Sequence, residues 1–229
     1  MQGMPIRAIL FDVYGTLLDV HSAIAREGKE LGARAESVSR LWRQKQLEYT
    51  WVWSLRGAYR SFRSLTEAGL DFALAAHGIE SSTLRERLLQ AYERLDAFPE
   101  VAGALNALRQ QGLRLAALSN GDPDMLENGL WAARIRDSLE AALSVAPVQI
   151  YKPDRQVYEL GRSWVDAPAA EIAFVSANAW DASGAAGFGF RTFWINRARQ
   201  PPEYDVARHT TAIGSLGDLT AHLTWPKGG

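Results

Sequence analysis

Five short apolar runs, each bounded by turn-forming residues, constrain the fold of this sequence more than any other feature. They lie at residues 6–11, 113–118, 141–145, 172–175 and 192–195. Apolar runs of this length are typical of strands that are buried on both faces, as in a parallel sheet. Four of the five runs end in polar or turn residues. The pattern therefore predicts a largely parallel sheet whose carboxyl edge carries polar loops.

Helical patterns lie between the later runs. They cover residues 100–111, 154–165 and 181–187, and Pro99 and Pro153 precede the first two. Proline in the first turn, followed by apolar residues at a spacing of three and four, favours a helix. Alternating strands and helices predict an α/β fold with a doubly wound, mostly parallel sheet and a Rossmann-like core.

The segment after the first run has a different character. It carries no convincing strand pattern and is rich in helix formers, for example at residues 41–48. Roughly 80 residues are too many for a crossover loop. We therefore predict a core domain formed by residues 1–16 and 98–229, and an inserted, all-helical cap subdomain formed by residues 17–97.

Composition and charge exclude several classes of function. The 229 residues include 25 Lys plus Arg and 26 Asp plus Glu, so no broad attraction for nucleic acid or an acidic membrane is expected. The absence of cysteine excludes disulfides, thiolate metal sites and cysteine nucleophiles. No run reaches the roughly 18 apolar residues of a membrane span, and acidic residues interrupt the first 20 residues. We expect a cytoplasmic protein that acts on a small neutral or singly charged molecule.

Candidate chemical groups occur where the predicted strands end. Asp12 follows the first run, Ser119 follows the second, Lys152 precedes a predicted helix and Asp181 follows the fourth run. Each has a plain alternative as an Asx turn, a helix N-cap, a simple turn or a solvated lysine. The turn that begins at Ser119 could hold a carboxylate or a phosphate equally well. Ligands of open parallel sheets bind at the carboxyl edge, so the four residues together predict one site.

This ordered set resembles the four-part signature of the haloacid dehalogenase superfamily. Five segments, FDVYGT, LWRQKQLEYT, LSNG, YKP and SANAWD, are similar to the branch of L-2-haloacid dehalogenases; they lie at residues 11–16, 41–50, 118–121, 151–153 and 176–181. The resemblance covers essentially the whole chain. It implies hydrolysis of small L-2-haloalkanoic acids to D-2-hydroxy acids with inversion.

The resemblance also implies a covalent mechanism at Asp12. Asp12 would attack C2 of the substrate and form an ester, which water would then hydrolyse. The residues implied to activate that water, to keep Asp12 ionised or to orient groups of the site are Asp181, Lys152, Ser176, Asn178, Thr16 and Tyr158.

Two further sets of residues are implied to bind the substrate. Arg43 would receive the halide with Asn120 and Trp180, although the sequence alone would place Arg43 on the surface. Ser119 and nearby backbone amides would bind the substrate carboxylate. The residues implied to wall the alkyl pocket are Tyr14, Gln44, Leu47, Phe62 and Trp180, of which Leu47 and Phe62 could equally pack the cap core.

Two positions depart from the pattern of the superfamily's phosphatases. Tyr14 stands where those enzymes have a second aspartate, which protonates the departing alkoxide. Ala177 stands where they have an aspartate that helps to hold magnesium. A halide leaves without a proton, so both departures favour a dehalogenase that needs no metal and no cofactor. The alternatives are a small-molecule phosphatase of the same superfamily and a non-catalytic ligand-binding homologue.

The expected partners are the 2-haloacid, water and the released halide, with no nucleic acid and no membrane. The four histidines lie outside all these motifs and receive no role. Aromatic residues are dense at residues 49–62, and family members often dimerise. We therefore expect a homodimer.

Overall fold

The structure is a computed structural model that describes residues 5–223. Its strands are β1 (Ala8–Phe11), β2 (Leu18–Asp19), β3 (Asp96–Ala97), β4 (Arg114–Ser119), β5 (Ala141–Ser144), β6 (Ile172–Ser176), β7 (Arg191–Ile195) and β8 (Thr211–Ile213). Its α-helices are α1 (Ser22–Glu27), α2 (Ala35–Leu55), α3 (Phe62–Ala76), α4 (Ser82–Tyr92), α5 (Val101–Gln110), α6 (Pro123–Ala132), α7 (Arg155–Val165), α8 (Ala179–Phe188) and α9 (Val206–His209). Short 3-10 helices cover Lys29–Arg34, Arg136–Ser138, Ala169–Glu171 and Leu216–His222.

Six strands form one parallel sheet in the order β5-β4-β1-β6-β7-β8. The chain fills one half of the sheet outward from β1, then returns to β6 on the other side of β1 and fills the second half. This reversal between β1 and β6 is the switch point at which doubly wound folds bind ligands. The predicted α/β fold is confirmed, and Asp12 directly follows β1 at that switch point.

All five apolar runs form strands, with bounds shifted by one or two residues. The sequence did not indicate β8, because an edge strand of three residues with two exposed positions carries almost no apolar pattern. The two prolines stand just outside their helices rather than in the first turn. Helix α5 begins after Glu100, and α7 begins after Asp154, whose side chain accepts a hydrogen bond from the Gln156 N–H at 2.8 Å.

Helices α1 to α4 lie in the segment predicted to form the cap, and α2 packs along α3. Gly69 of α3 permits this close approach, because a Cβ there would lie 3.1 Å from the backbone nitrogen of Gln46. Contrary to the expectation for residues 17–97, two strands occur within them. β2 and β3 pair antiparallel where the chain leaves the core and returns to it. Two-residue strands are too short to produce an alternating pattern.

The cap boundaries at residues 16/17 and 97/98 stay a prediction, and the β2–β3 pair lies beside them. Within residues 5–223 no helix is both long and apolar enough to cross a membrane.

Candidate active site

Asp12 lies at the carboxyl end of β1 and receives hydrogen bonds from four side chains. Oδ2 accepts from the Thr16 hydroxyl at 2.7 Å, the Asn178 amide at 2.7 Å and the Ser176 hydroxyl at 3.3 Å. Oδ1 accepts from Lys152 Nζ at 3.1 Å. The donors come from three separate loops, so this carboxylate is neither the helix N-cap nor the local Asx turn that the sequence alone left open.

Lys152 joins Asp12 to the second carboxylate of the site. Its Nζ also lies 3.0 Å from Oδ2 of Asp181, and the Tyr158 hydroxyl donates to Oδ1 of Asp181 at 2.8 Å. Lys152 and Asp181 are fully buried, and Asp12 is 5% exposed. Asp181 lies inside the first turn of α8, after the N-cap residue Asn178, so it does not cap that helix.

Burial and charge shift the pKa values of these groups in different directions. For Asp12, burial favours the neutral form, but the charge of Lys152 and the hydrogen bond from Thr16 outweigh it and lower the pKa. For Asp181, burial raises the pKa to about 6, because Lys152 only partly offsets burial and the charge of Asp12 adds to it. Burial also opposes the charge of Lys152, but its two carboxylate neighbours raise its pKa. Asp12 is therefore ionised at neutral pH beside a cation.

The loop after β1 and the loop after β6 are tied together at Thr16. Its Oγ1 accepts a hydrogen bond from the backbone N–H of Ala177 at 2.8 Å while its hydroxyl donates to Asp12. Ser176 ends β6, and its Oγ accepts from the backbone N–H of Asn178 at 3.1 Å. These contacts fix the carboxylate relative to the start of α8.

Arg43 of α2 reaches across from the cap to the same loops. Its Nη2 donates to the backbone oxygen of Tyr14 at 2.9 Å and lies 3.5 Å from Oδ1 of Asn178. Its Nη1 donates to Oε1 of Gln46 at 2.8 Å. Arg43 is thus half-buried at the site, although the sequence alone favoured a surface position.

Ser119 and Asn120 lie at the end of β4, the strand beside β1. The Ser119 hydroxyl oxygen accepts from the backbone N–H of Gly121 at 3.0 Å, and Oδ1 of Asn120 accepts from the backbone N–H of Lys152 at 3.0 Å. Both side chains are buried. Asn120 therefore fixes the segment that carries the lysine, while Ser119 shapes the turn beside it.

Four of the five residues predicted to wall the pocket lie near the site. Tyr14 and Phe62 are buried and their ring centroids are 5.1 Å apart, while Leu47 and Trp180 are half-buried and line a cavity with Arg43. Gln44 is exposed and takes part in no hydrogen bond described among residues 5–223. The structure does not bring Gln44 into the cluster, and its role stays a prediction.

A cavity of about 450 Å³ opens beside this cluster, with Gly15, Arg43, Asn178 and Trp180 in its wall. A cavity of about 500 Å³ is lined by residues of α1 and of the start of α2, among them Ile24 and Ser39. None of the residues that donate to Asp12 lines it, whereas Asn178 lines the smaller cavity, so we assign the smaller cavity to the site.

Two residues that hold the site together were not predicted. Asp122 stands at the N-cap position of α6, but its carboxylate accepts from the backbone N–H groups of Phe62 at 3.1 Å and Arg63 at 2.8 Å. It thereby anchors the start of α3 to the core. Gln46 contacts Arg43 from within the cap. An aspartate before a proline indicates only a helix cap, and a helical glutamine gives no signal.

No group of three or more His, Asp or Glu side chains within residues 5–223 is arranged to hold a metal ion. Asp12 and Asp181 instead share the ammonium group of Lys152. The predicted independence from metal stays a prediction.

The known proteins that match this chain in sequence belong to one family. A family described as haloacid dehalogenase-like hydrolase matches residues 6–189. The (S)-2-haloacid dehalogenase 1 of Pseudomonas sp. strain CBS-3 is 45% identical over 94% of this chain and 95% of its own. The (S)-2-haloacid dehalogenase 4A of Burkholderia cepacia is 44% identical over 96% of this chain and 94% of its own.

The solved structures that resemble this chain are also dehalogenases. A dehalogenase with an intermediate complex has a TM-score of 0.93 at 43% identity and covers 96% of this chain and 98% of its own. The L-2-haloacid dehalogenase from Xanthobacter autotrophicus with chloropropionic acid covalently bound has a TM-score of 0.83 at 32% identity. That match covers 94% of this chain and 97% of the other. The resemblance predicted from the sequence is confirmed over nearly the whole chain.

Proposed function

The chain belongs to the haloacid dehalogenase-like hydrolases, in the branch of the (S)-2-haloacid dehalogenases, and we propose that it hydrolyses small L-2-haloalkanoic acids to D-2-hydroxy acids. One observation carries this proposal. The ionised carboxylate of Asp12 lies at the switch point, 3.1 Å from the ammonium group that also contacts Asp181. This arrangement supplies both a nucleophile and a base.

In the first step, a carboxylate oxygen of Asp12 attacks C2 of the substrate opposite the halogen. The new C–O bond forms as the carbon–halogen bond breaks, the halide takes the bonding electrons, and the configuration at C2 inverts. The charge of Lys152 and the hydrogen bonds from Thr16 and Asn178 keep Asp12 ionised and oriented for this attack. The product of this step is an ester between Asp12 and the substrate.

The leaving halide needs hydrogen-bond donors rather than a proton. The guanidinium group of Arg43 has five N–H donors, of which the contacts with Gln46, Tyr14 and Asn178 use at most three. Its remaining donors, with Asn120 and Trp180, receive the halide. Ser119 and neighbouring backbone amides hold the substrate carboxylate.

In the second step, water attacks the carboxyl carbon of the Asp12 ester. Asp181 accepts the water proton, because a pKa of about 6 leaves it largely ionised at neutral pH yet basic enough to take up a proton. Tyr158 and Lys152 hold Asp181 in place, and Ser176 and Asn178 orient the water. As the acyl–oxygen bond breaks, the departing alkoxide takes up the proton held by Asp181 and leaves as the hydroxy acid. The regenerated Asp12 carboxyl loses the second water proton to solvent, and C2 is not touched.

The environment of Tyr14 favours a substrate with a carbon–halogen bond over a phosphate ester. Burial raises the pKa of the Tyr14 phenol well above its ordinary value of 10.0, with smaller contributions from Tyr92 and Glu93. Such a phenol is a poor proton donor to an alkoxide at neutral pH. A phosphatase would lack the acid that its first leaving group requires, whereas the halide expelled in the first step of dehalogenation leaves without a proton.

We further propose that the protein needs no metal and acts as a homodimer. A singly charged haloacid is repelled less by Asp12 than a phosphate dianion would be, so the cation of Lys152 can suffice. Apolar side chains on the cap support self-association, since Leu55 of α2 is 89% exposed and Val52 and Phe72 are each 44% exposed. Sedimentation of the wild-type protein and of Leu55→Lys would test the dimer. A cytoplasmic location stays a prediction.

One assay separates this function from its alternatives. The protein is incubated with L-2-chloropropionate and, separately, with a generic phosphate monoester, and both halide and phosphate are measured. Halide release without phosphate release is expected. Phosphate release alone would favour a phosphatase, and release of neither would favour a non-catalytic ligand-binding homologue.

A further inference from the structure

Gln46 is a fully buried polar residue of α2 whose side chain is hydrogen-bonded at both ends. Oε1 accepts from Nη1 of Arg43 at 2.8 Å and from the Tyr92 hydroxyl at 3.1 Å. Nε2 donates to Oγ1 of Thr66 at 2.6 Å. Thr66 in turn donates to the backbone oxygen of Phe62 at 2.8 Å. A buried amide with both ends paired can adopt only one orientation.

The backbone around Gln46 is also fixed. Gly69 of α3 packs against the Gln46 backbone nitrogen, where an added Cβ would be 3.1 Å away. The indole nitrogen of Trp42 donates to the backbone oxygen of Thr66 at 2.8 Å and ties α2 to α3 at the same level. The position of Oε1 is thus determined by the packing of the two long cap helices.

Arg43 is held from two sides by different parts of the molecule. Gln46 holds Nη1 from the cap, and the backbone oxygen of Tyr14 holds Nη2 from the core. A guanidinium group is a rigid plane, so fixing both terminal nitrogens fixes the direction of its remaining N–H donors. Without Gln46, Nη1 would lose this acceptor, and the Tyr92 hydroxyl would be the remaining cap group beside the arginine.

We propose that Gln46 is a positioning residue for the reaction, because it directs the Arg43 guanidinium toward the departing halide. This inference rests on the proposed dehalogenase function and on Arg43 as the halide acceptor. Gln46 itself does not touch the substrate. Its contribution is to keep the halide donors aligned during carbon–halogen cleavage, when the negative charge on the halide develops.

The test uses Gln46→Met, which has a similar length but no acceptor, and Gln46→Asn, which retains an amide too short to reach Arg43. The control is Thr50→Val, one turn further along α2. Thr50 is buried, and among residues 5–223 its hydroxyl donates only to the backbone oxygen of Leu47, at 2.7 Å. Each protein is titrated with sodium bromide and with D-lactate at constant ionic strength, and kcat and KM are measured with L-2-chloropropionate.

Both Gln46 variants are expected to bind bromide roughly tenfold to a hundredfold more weakly, the scale of one lost hydrogen bond to a charged group. D-lactate affinity should stay within about twofold, since the carboxylate contacts are untouched, and kcat should fall more than KM rises. Thr50→Val should leave both affinities unchanged.

A merely structural role would give a different result. If both ligands were weakened to the same extent, or if bromide affinity did not change, Gln46 would not act through Arg43 and the inference would be wrong. A wild-type protein that releases no halide from L-2-chloropropionate would instead defeat the proposed function. The two failures are therefore distinguishable.

Discussion

The Nζ atom of Lys152 lies 3.0 Å from Oδ2 of Asp181, and neither side chain is exposed to solvent. The same ammonium group contacts Asp12, so one buried cation faces two carboxylates. Asp181 is therefore easier to protonate than Asp12. Burial raises the pKa of Asp181 from 3.8 to about 6, with a further contribution from Asp12 against the opposing charge of Lys152. Asp12 has a lowered pKa and stays ionised.

The pH profile of the reaction should report this raised pKa. Protonated Asp181 cannot accept a proton from water, so kcat should fall at acidic pH, below a pKa no higher than about 6, because the ester removes the Asp12 charge that contributes to that value. Below that value the fall should be roughly tenfold per pH unit. Initial rates of halide release, measured in buffers of constant ionic strength, give this profile. A rate that stays level down to the ordinary carboxyl pKa would contradict Asp181 as the base.

Removing the buried cation should destabilise the fold. In Lys152→Met two buried carboxylates lose their partner, which costs about 3–5 kcal/mol of unfolding free energy. Their folded-state pKa values rise above the unfolded ones, so the folded form binds more protons and the variant regains stability as the pH falls. Urea unfolding at neutral and at mildly acidic pH measures both effects.

The control for this experiment is Lys45→Met. Lys45 forms an ion pair with Glu48 on the same helix, in which the Glu48 side chain is 42% exposed. Its loss should cost less than about 1 kcal/mol. If Lys152→Met lost no more stability than Lys45→Met, the buried pair would not hold the site together.

Arg197 should support the nucleophile loop through its contact with the backbone of Thr16. Its Nη2 donates to the backbone oxygen of Thr16 at 2.9 Å and pairs with Glu100 at 2.7 Å, and its guanidinium lies 3.9 Å from the ring centroid of Phe98. Arg197→Met should lower kcat by roughly tenfold and stability by about 1 kcal/mol. Exposed Arg199→Met is the matched control. Equal halide-release rates and melting temperatures in the two variants would mean that Arg197 does not support the nucleophile loop.

Chelation should leave the activity intact. After dialysis against excess EDTA, halide release should keep its rate, and added magnesium should not raise it, because Lys152 supplies the cation at Asp12. Metal content is measured on the dialysed protein. Loss of dehalogenation on chelation, with recovery in magnesium, would overturn metal independence.

The sequence predicted the core strands and the residues at their ends because both depend on local pattern. Asp12, Ser119 and Asp181 follow apolar runs, and the carboxyl ends of parallel strands meet at one edge of the sheet. Arg43 was placed only by resemblance, since its neighbours at the site come from loops that the local pattern does not connect to it.

Residues whose role depends on a distant partner could not be found in this way. Asp122 contacts Phe62, which is 60 positions away, and Gln46 contacts Tyr92, which is 46 positions away. Gln44 and Gln46 are both glutamines of α2, yet one is exposed and the other fully buried. Only the packing of α2 against α3 distinguishes them. The local sequence also could not reveal β2 and β3, because these strands are defined by their pairing with each other.

Oxygen-18 labelling decides whether the reaction passes through a covalent ester on Asp12. A single turnover of L-2-chloropropionate is run in oxygen-18 water with the enzyme in excess, and the products and peptides are analysed by mass spectrometry. The hydroxyl oxygen of the D-lactate should come from Asp12 and stay unlabelled. Heavy oxygen should appear in the peptide that contains Asp12 and not in the peptide that contains Asp154. Label in the lactate hydroxyl, with none in the Asp12 peptide, would mean direct attack by water and would contradict the mechanism.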